Sequence, residues 1–434
     1  MMLHARSEGG GFVARLCAQM QSMKRSIRSI TFAAALLLTV LGVPGAGLAF
    51  AQDVALPKDV NPQSRNRLSL LNPDDASARA RQIYDRSMAN FAGAPPKGPS
   101  MRLHGTPEGA LNLQMLSPLG LNVIEIPELV TARALDQPYE WSGHEMWALE
   151  VSLDPSVINI IRRNLPVSKL DAREAVIIQV GREIFRTHKL RSDTYARALH
   201  VLGERNLVDV VGLMADYASA SASLSAFNQQ MPPGFRQFLP LPFTPPDDIH
   251  PDSRNRLPLL PSGPARPGVL YSFYPGPEGT GPGQIGRHGG GLKSLEANVA
   301  RRDIDLAILV TAREHDSQYD WTVNEPAAVK DGLEQKVIEV IRNRKPTAGL
   351  SEKDATMIEF GRQLFDKHYV TAATYAQAVK IYGERNLVDL VSVMGMHTGE
   401  EIMLAAFDQQ LPQGQAPLCC VSRGNAALTS AVER

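Results

Sequence analysis

The chain repeats itself. "LVTAR" occurs at 129–133 and at 309–313, "GERNLVD" at 203–209 and 383–389, and "FNQQ" at 227–230 meets "FDQQ" at 407–410. Each pair is offset by 180 residues, so the register holds without a net gap from 129 to 230 in one copy and from 309 to 410 in the other. An earlier pair, "SRNRLSLL" at 64–71 and "SRNRLPLL" at 253–260, is offset by 189, so the segments joining arm to core differ in length. The period is far longer than that of a solenoid repeat. This is a duplicated domain, and whatever fold one copy adopts the other must also accept. The 434 residues allow two or three domains of ordinary size.

Within each copy the pattern is helical. "AREAVIIQVGREIF" (172–185) and "KDATMIEFGRQLF" (353–365) place apolar residues at i, i+3, i+4 and i+7. Asp171 with Glu174, and Ser351 with Asp354, read as capping-box starts at equivalent positions. "SDTYARALHVL" and "TAATYAQAVKIY" start another helix, and "NLVDVVGLMADYASASASLSAF" a long one whose Ala, Ser and Gly suit close packing. No stretch alternates with period two for long enough to build a sheet. Residues 235–300, with "FLPLPFTPPDD" and "YPGPEGTGPGQIGRHGGG", read as linker plus an irregular arm. The expected class is all-α, with two tandem helical domains carrying extended N-terminal arms. A first domain is expected over 52–241, a second over 242–416, and a tail over 417–434.

The N-terminus reads as a targeting segment. Lys24, Arg25 and Arg28 precede an apolar stretch broken by Gly42, Pro44 and Gly45, and Ala49 to Ala51 supply the small residues of a cleavage site. Cleavage is expected before Gln52, which makes 1–51 a signal peptide with an upstream extension, places the mature protein in the periplasm or outside the cell, and leaves no stable membrane insertion. The mature chain would carry 40 basic and 44 acidic residues. That balance gives no nucleic-acid footprint. Three cysteines, Cys17 and the vicinal Cys419 and Cys420, give no disulfide framework within a domain, so the core must hold the fold.

The chemistry concentrates in "QPYEWSGHEMWALE" (137–150), matched by "SQYDWTVNEPAAVK" (317–330). Pro138 fits the first turn of a helix, which puts Glu140 and His144 at i and i+4 on one face. A carboxylate beside an imidazole fixes its tautomer and raises its pKa, as a general acid or base requires. Trp141 and Trp147 would wall that face, and the same residues also fit a helix-surface pair with two core tryptophans. Glu125 and Glu128 lie on the preceding helix. Glu125 matches Asp305 at the 180 offset and could orient the histidine, or be an exposed helix acid. Arg133, repeated as Arg313, could hold a substrate carboxylate or an internal acid. His188, His200, His250, His288, His315, His368 and His397 show no ligand spacing, so no metal site and no cofactor is expected.

"ELVTARALDQPYEWSGHEMWAL" resembles the carboxymuconolactone decarboxylase family of the alkylhydroperoxidase D-like superfamily, and "DLAILVTAREHDSQYDWTVNEPAAV" resembles it equally well apart from the histidine. "GERNLVDLV" is also similar to the family. The resemblance implies an all-α fold that assembles as a homo-oligomer. It implies His144 as proton donor or acceptor, with Glu140 and Glu125 tuning it and Arg133, Tyr139 and Trp141 as candidates for substrate contact. In the peroxidase branch two cysteines stand where this chain has Gln137 and Glu140, and where copy two has Ser317 and Asp320. Disulfide-based peroxide reduction needs a thiolate, so the resemblance to the decarboxylase branch is the stronger one.

The expectation is a cofactor-free lyase acting on a small acidic lactone or related compound. Copy one would hold the site, and copy two would stand in for a second subunit, its polar position free to become Asn324. A non-catalytic binding or scaffold protein on the same fold is the alternative. An alkylhydroperoxidase-like antioxidant role for Cys419 and Cys420 is a further one, disfavoured because a tail dithiol lacks a fixed base.

Overall fold

The computed structural model describes residues 56–68, 117–231, 248–250, 254–257, 291–411 and 415. The expected signal segment, the three cysteines and the boundary at 241/242 lie outside the described residues. Among the described residues there are thirteen helices and no strand. Copy one supplies α1 (Leu121–Ala134), α2 (Pro138–Glu150), α3 (Pro155–Arg162), α4 (Ala172–Thr187), α5 (Ser192–Leu202) and α6 (Glu204–Ala226). A short α7 (Gly291–Asn298) precedes copy two, which supplies α8 (Arg301–Glu314), α9 (Gln318–Lys330), α10 (Gln335–Arg342), α11 (Glu352–Asp366), α12 (Ala372–Tyr382) and α13 (Glu384–Ala406). The 180 offset thus recurs in the helix boundaries.

The starts follow local chemistry. Asp171 accepts from the backbone N–H groups of Arg173 and Glu174, and Ser351 Oγ accepts from that of Asp354. Pro138 opens α2, with the Gln137 side chain accepting from the Tyr139 N–H. The left-handed residue between α1 and α2, Asp136, has its counterpart in Asp316.

The helices of both copies pack within one compact unit, Ala55–Gln415. Its spine is α6 against α13. A Cβ on Gly395 would lie 2.8 Å from the Ser219 carbonyl oxygen, and one on Gly399 3.0 Å from that of Ala215. Only glycine admits so close a backbone approach. Position 395 is the counterpart of 215, and 399 of 219. Each therefore meets the other's counterpart, as in the isologous interface of a two-fold dimer. By length and composition α6 is apolar enough to cross a membrane, but 89% of that stretch is buried inside the protein.

The arms cross between the copies. Arg67 N–H donates to the Phe407 carbonyl, and Gln410 N–H to that of Arg65. In mirror fashion Arg256 N–H donates to Phe227, and Gln230 N–H to Arg254. The Arg67 guanidinium, its side chain fully buried, reaches Leu190 O at 2.9 Å, Ala406 O at 3.0 Å and Asp59 Oδ2 at 2.9 Å. Arg256 repeats this with Val370 O, Ala226 O and Asp248 Oδ2. Each also covers a tyrosine face, Tyr195 at 4.6 Å and Tyr375 at 4.9 Å. Each "SRNRL" arm is thus a strap closing on the far end of the other copy.

Candidate acid–base sites in the two copies

In copy one the site is built where α1, α2 and α6 meet. Glu125 and Glu128 are one turn apart on α1 and share a face. They converge on His144 of α2. Its Nδ1 lies 2.8 Å from Glu125 Oε2 and 2.6 Å from Glu128 Oε2, and its Nε2 lies 3.5 Å from Glu140 Oε2. The last distance is an ion-pair contact, long for a hydrogen bond. Tyr217 of α6 and Trp147 of α2 meet the imidazole edge-on, with centroids at 4.8 and 5.6 Å. The histidine is 2% exposed and Glu128 0%.

This burial sets the electrostatics. Burial alone pulls the His144 imidazole down, but the charges of Glu128 and Glu125, with the Glu125 hydrogen bond, outweigh it and hold its pKa well above the usual range. Burial, and then the charge of Glu128, push Glu125 up to about 7 against the opposing pull of His144. Burial also keeps the Tyr217 phenol neutral. Near neutrality the cluster is a charged imidazole beside a carboxyl poised to gain or lose a proton, and the members titrate as a unit.

Glu125, Glu128 and His144 are also ligand types able to hold a metal ion, with their donor atoms within 4.8 Å of one another. However, Nδ1 stands 2.6–2.8 Å from its two oxygens. Two ligands of a tetrahedral zinc ion sit about 3.3 Å apart, given bonds of about 2.0–2.1 Å. The Glu125 spacing is that of a hydrogen bond through one proton, with Glu128 in ion-pair contact on the same nitrogen, and a metal would have to displace that proton.

The other candidates fall elsewhere. Arg133 does not join the cluster: it donates to the Arg162 carbonyl at 2.8 Å and pairs with Asp136 at 2.5 Å, tying α1 to α3. Arg313 does the same with the Arg342 carbonyl and Asp316. Trp141 lies in the core, its indole donating to Glu145 while Arg162 covers the ring. Trp321, Glu325 and Arg342 repeat that set. Tyr139 is buried with Leu224 and Met231. These three are fold contacts. Glu128 and Tyr217 complete the cluster, and the i, i+4 spacing that pairs Glu140 with His144 reaches neither of them.

Copy two holds a different site in the same frame. Asn324 stands for His144, Ile308 for Glu128 and Ala327 for Trp147, while Asp305 pairs with Arg301 at 3.0 Å. The histidine has not vanished. It stands on the long helix as His397, the counterpart of Tyr217, and its Nδ1 is 2.8 Å from Asp320 Oδ2. Asn324 donates to Asp320 Oδ1 at 2.6 Å. Burial pushes Asp320 up, but the bonds from His397, Glu401 and Asn324 outweigh it and hold the carboxylate below its usual range. Burial pulls His397 down, and the hydrogen bond and charge of Asp320 reverse that. Beside Asp320 lies Glu401, 4% exposed, which burial and then the Asp320 charge push well above the usual carboxyl range. Asn324 thus does not mark a lost site, because the imidazole has moved from one helix to another. The signal was present in the sequence: His397 is a histidine where the 180 offset expects tyrosine.

Comparison of the chain with family models, with curated proteins and with solved structures finds no match.

Proposed function

We propose that copy one is a cofactor-free proton-transfer site and that the chain is a tandem relative of the carboxymuconolactone decarboxylases, with alkylhydroperoxidase D-like domains. The observation that carries this reading is His144 held by two buried acids on one ring nitrogen, with Glu140 3.5 Å from the other. Such an imidazole is charged and oriented, the state of a general acid. On a small acidic lactone, carbon dioxide would leave with its C–C bonding pair delocalised onto the ring as an enolate. His144 would give its proton to the enolate carbon, and a proton from solvent, relayed by Glu125, would restore it, with Glu140 tuning the imidazole. The pseudo-two-fold packing of α6 on α13 supports copy two as a built-in second subunit. Export to the periplasm or beyond, a homo-oligomer of such tandem chains and a small-molecule substrate belong to the same reading.

The 2% exposure of His144 favours a second reading, in which the cluster is a polar clasp of a non-catalytic binding protein. His144→Asn separates the two, because copy two already folds around an asparagine there. Wild type and variant are assayed against small lactones and aromatic ring-cleavage acids, with the melting temperature as the control for folding. The enzyme reading expects a folded variant and a loss of about 100-fold or more in turnover, the scale of a general acid or base. A folded variant with full turnover would remove His144 from the mechanism, and a wild type inert on the whole panel would leave the binding protein.

A further inference from the structure

A cavity of about 280 Å³ opens where Thr187–Lys189 of copy one face the start of α9 and the end of α13 in copy two. It sits just below the usual range of small-molecule pockets, about 300–1,000 Å³. Its wall includes Glu401, Ser317, Tyr319, Leu404 and Ala405. Copy one has a reduced counterpart, marked by Leu135, Ser221, Ser225 and His368, of only about 30 Å³. The difference has a structural cause. In copy one the Gln137 amide reaches across to Ser225 Oγ at 3.1 Å. In copy two the same positions hold the shorter Ser317 and Ala405 and leave the space open.

We propose that this cavity is a ligand site of copy two, taking a small uncharged carbonyl or hydroxyl compound, with the Glu401 carboxyl as its buried hydrogen-bond anchor. Two independent observations point to Glu401. It lines the cavity, and its two buried carboxyl oxygens make no hydrogen bond of full geometry, with only loose approaches from Asp320 and Ser317 beside them. A buried polar group that its neighbours satisfy incompletely is costly, and a ligand that completes its hydrogen bonding is bound in return. Its counterpart in copy one is Ser221, so the acid arrived where the space opened.

The charge pattern selects the ligand. Asp316 is held by Arg313 and Arg344, and Lys189 lies 3.6 Å from Asp408, so the charges on the wall are already matched. A charged ligand would enter without a counter-ion, at the cost of its desolvation. A neutral carboxyl both donates and accepts, which suits a carbonyl or a hydroxyl. Behind it Asp320, fixed by His397 and Asn324, orients the acid, while Leu404 and Ala405 receive a short carbon skeleton. This site does not depend on His144.

The test uses saturation-transfer NMR on the full chain with γ-butyrolactone, acetamide and glycerol as uncharged probes and acetate as the charged one. Leu404→Trp fills the cavity. Gln318→Trp, on a half-buried residue at its rim, narrows it with less risk to the core. Far-UV circular dichroism reports whether each variant folds. The expected result is that at least one uncharged probe binds the wild type more tightly than acetate, and that each folded Trp variant weakens it by at least about tenfold, or 1.4 kcal/mol. The proposal is overturned if no uncharged probe binds, if acetate binds best, or if the folded Gln318→Trp protein binds as the wild type does.

Discussion

The two copies share a frame and differ in what it carries. In copy one the histidine is on α2, faces two acids of α1, and is sealed by Trp147 and Tyr217. In copy two the histidine is on α13, faces one acid of α9, and lies behind an acid bordering a cavity of about 280 Å³. Four substitutions account for most of the change: His144 to Asn324, Tyr217 to His397, Glu128 to Ile308 and Ser221 to Glu401. The residues that both copies keep, Arg133 with Arg313 and Trp141 with Trp321, hold helices together in both. The residues that stay identical hold the frame, and the two copies part at buried polar positions.

The comparison is most easily broken at the straps, where the copies should behave alike. Arg67→Ala and Arg256→Ala each strip a buried guanidinium from two carbonyl oxygens and an aspartate. Each should cost about 3 kcal/mol or more in urea denaturation. If only one of the two destabilises the protein, the arm exchange is not energetically symmetric.

A smaller effect separates the copies by pH. Below pH 4.5 Glu401 carries its proton in the folded and the unfolded protein alike. Above that the unfolded chain ionises while the folded one keeps its proton, so the unfolded state binds fewer protons and stability falls as pH rises, by about 1.4 kcal/mol per unit for one group. Glu401→Gln removes this slope and should gain on the wild type as pH rises above 4.5, until the folded acid ionises. In copy one the matching fall from Glu125 runs from 4.5 and ends near pH 7. His144 adds stability that is fully present below its unfolded value of 6.5 and is lost as pH rises through its higher folded value. A wild-type minus Glu401→Gln difference that stays flat with pH would show that Glu401 ionises in the fold as it does in water.

The smallest expected effect comes from restoring the sequence symmetry. Asn324→His gives copy two a histidine at the His144 position, but Ile308 offers no second acid and Ala327 no wall. Turnover on any substrate of copy one should stay within about twofold of wild type, far from the 10²–10⁴ range of a working acid–base group. A clear gain would show that the imidazole alone suffices and that the α1 acids are dispensable.

The helices were legible because their signals are local: apolar spacing, Asp171 and Ser351 as caps, Pro138 at a first turn. His144 with Glu140 was legible for the same reason, one helix turn apart. Glu125 was reached through its repetition as Asp305. Glu128 lies one turn from Glu125, yet Ile308 opposite it gave no repeated acid to follow. Tyr217 was out of reach because nothing local ties a tyrosine on a long Ala- and Ser-rich helix to a histidine 73 residues earlier. The "SRNRL" pair announced that both copies have arms, but a sequence does not say whose end an arm will grip.

The exchanged straps also set a timetable. Arg67 closes on Ala406, 339 residues further along the chain, whereas Arg256 finds Ala226 only 30 residues back. The entropy of closing the longer loop is modest, since each doubling of length adds only about 0.6 kcal/mol. The delay is not: on a ribosome adding about 5–20 residues each second, Arg256 can take its hold on copy one early, while Arg67, held meanwhile by Asp59 and Leu190, waits for its hold on copy two until the helix that ends at Ala406 has emerged. A chain stopped short of Ala406 would therefore leave its first arm without a hold on copy two.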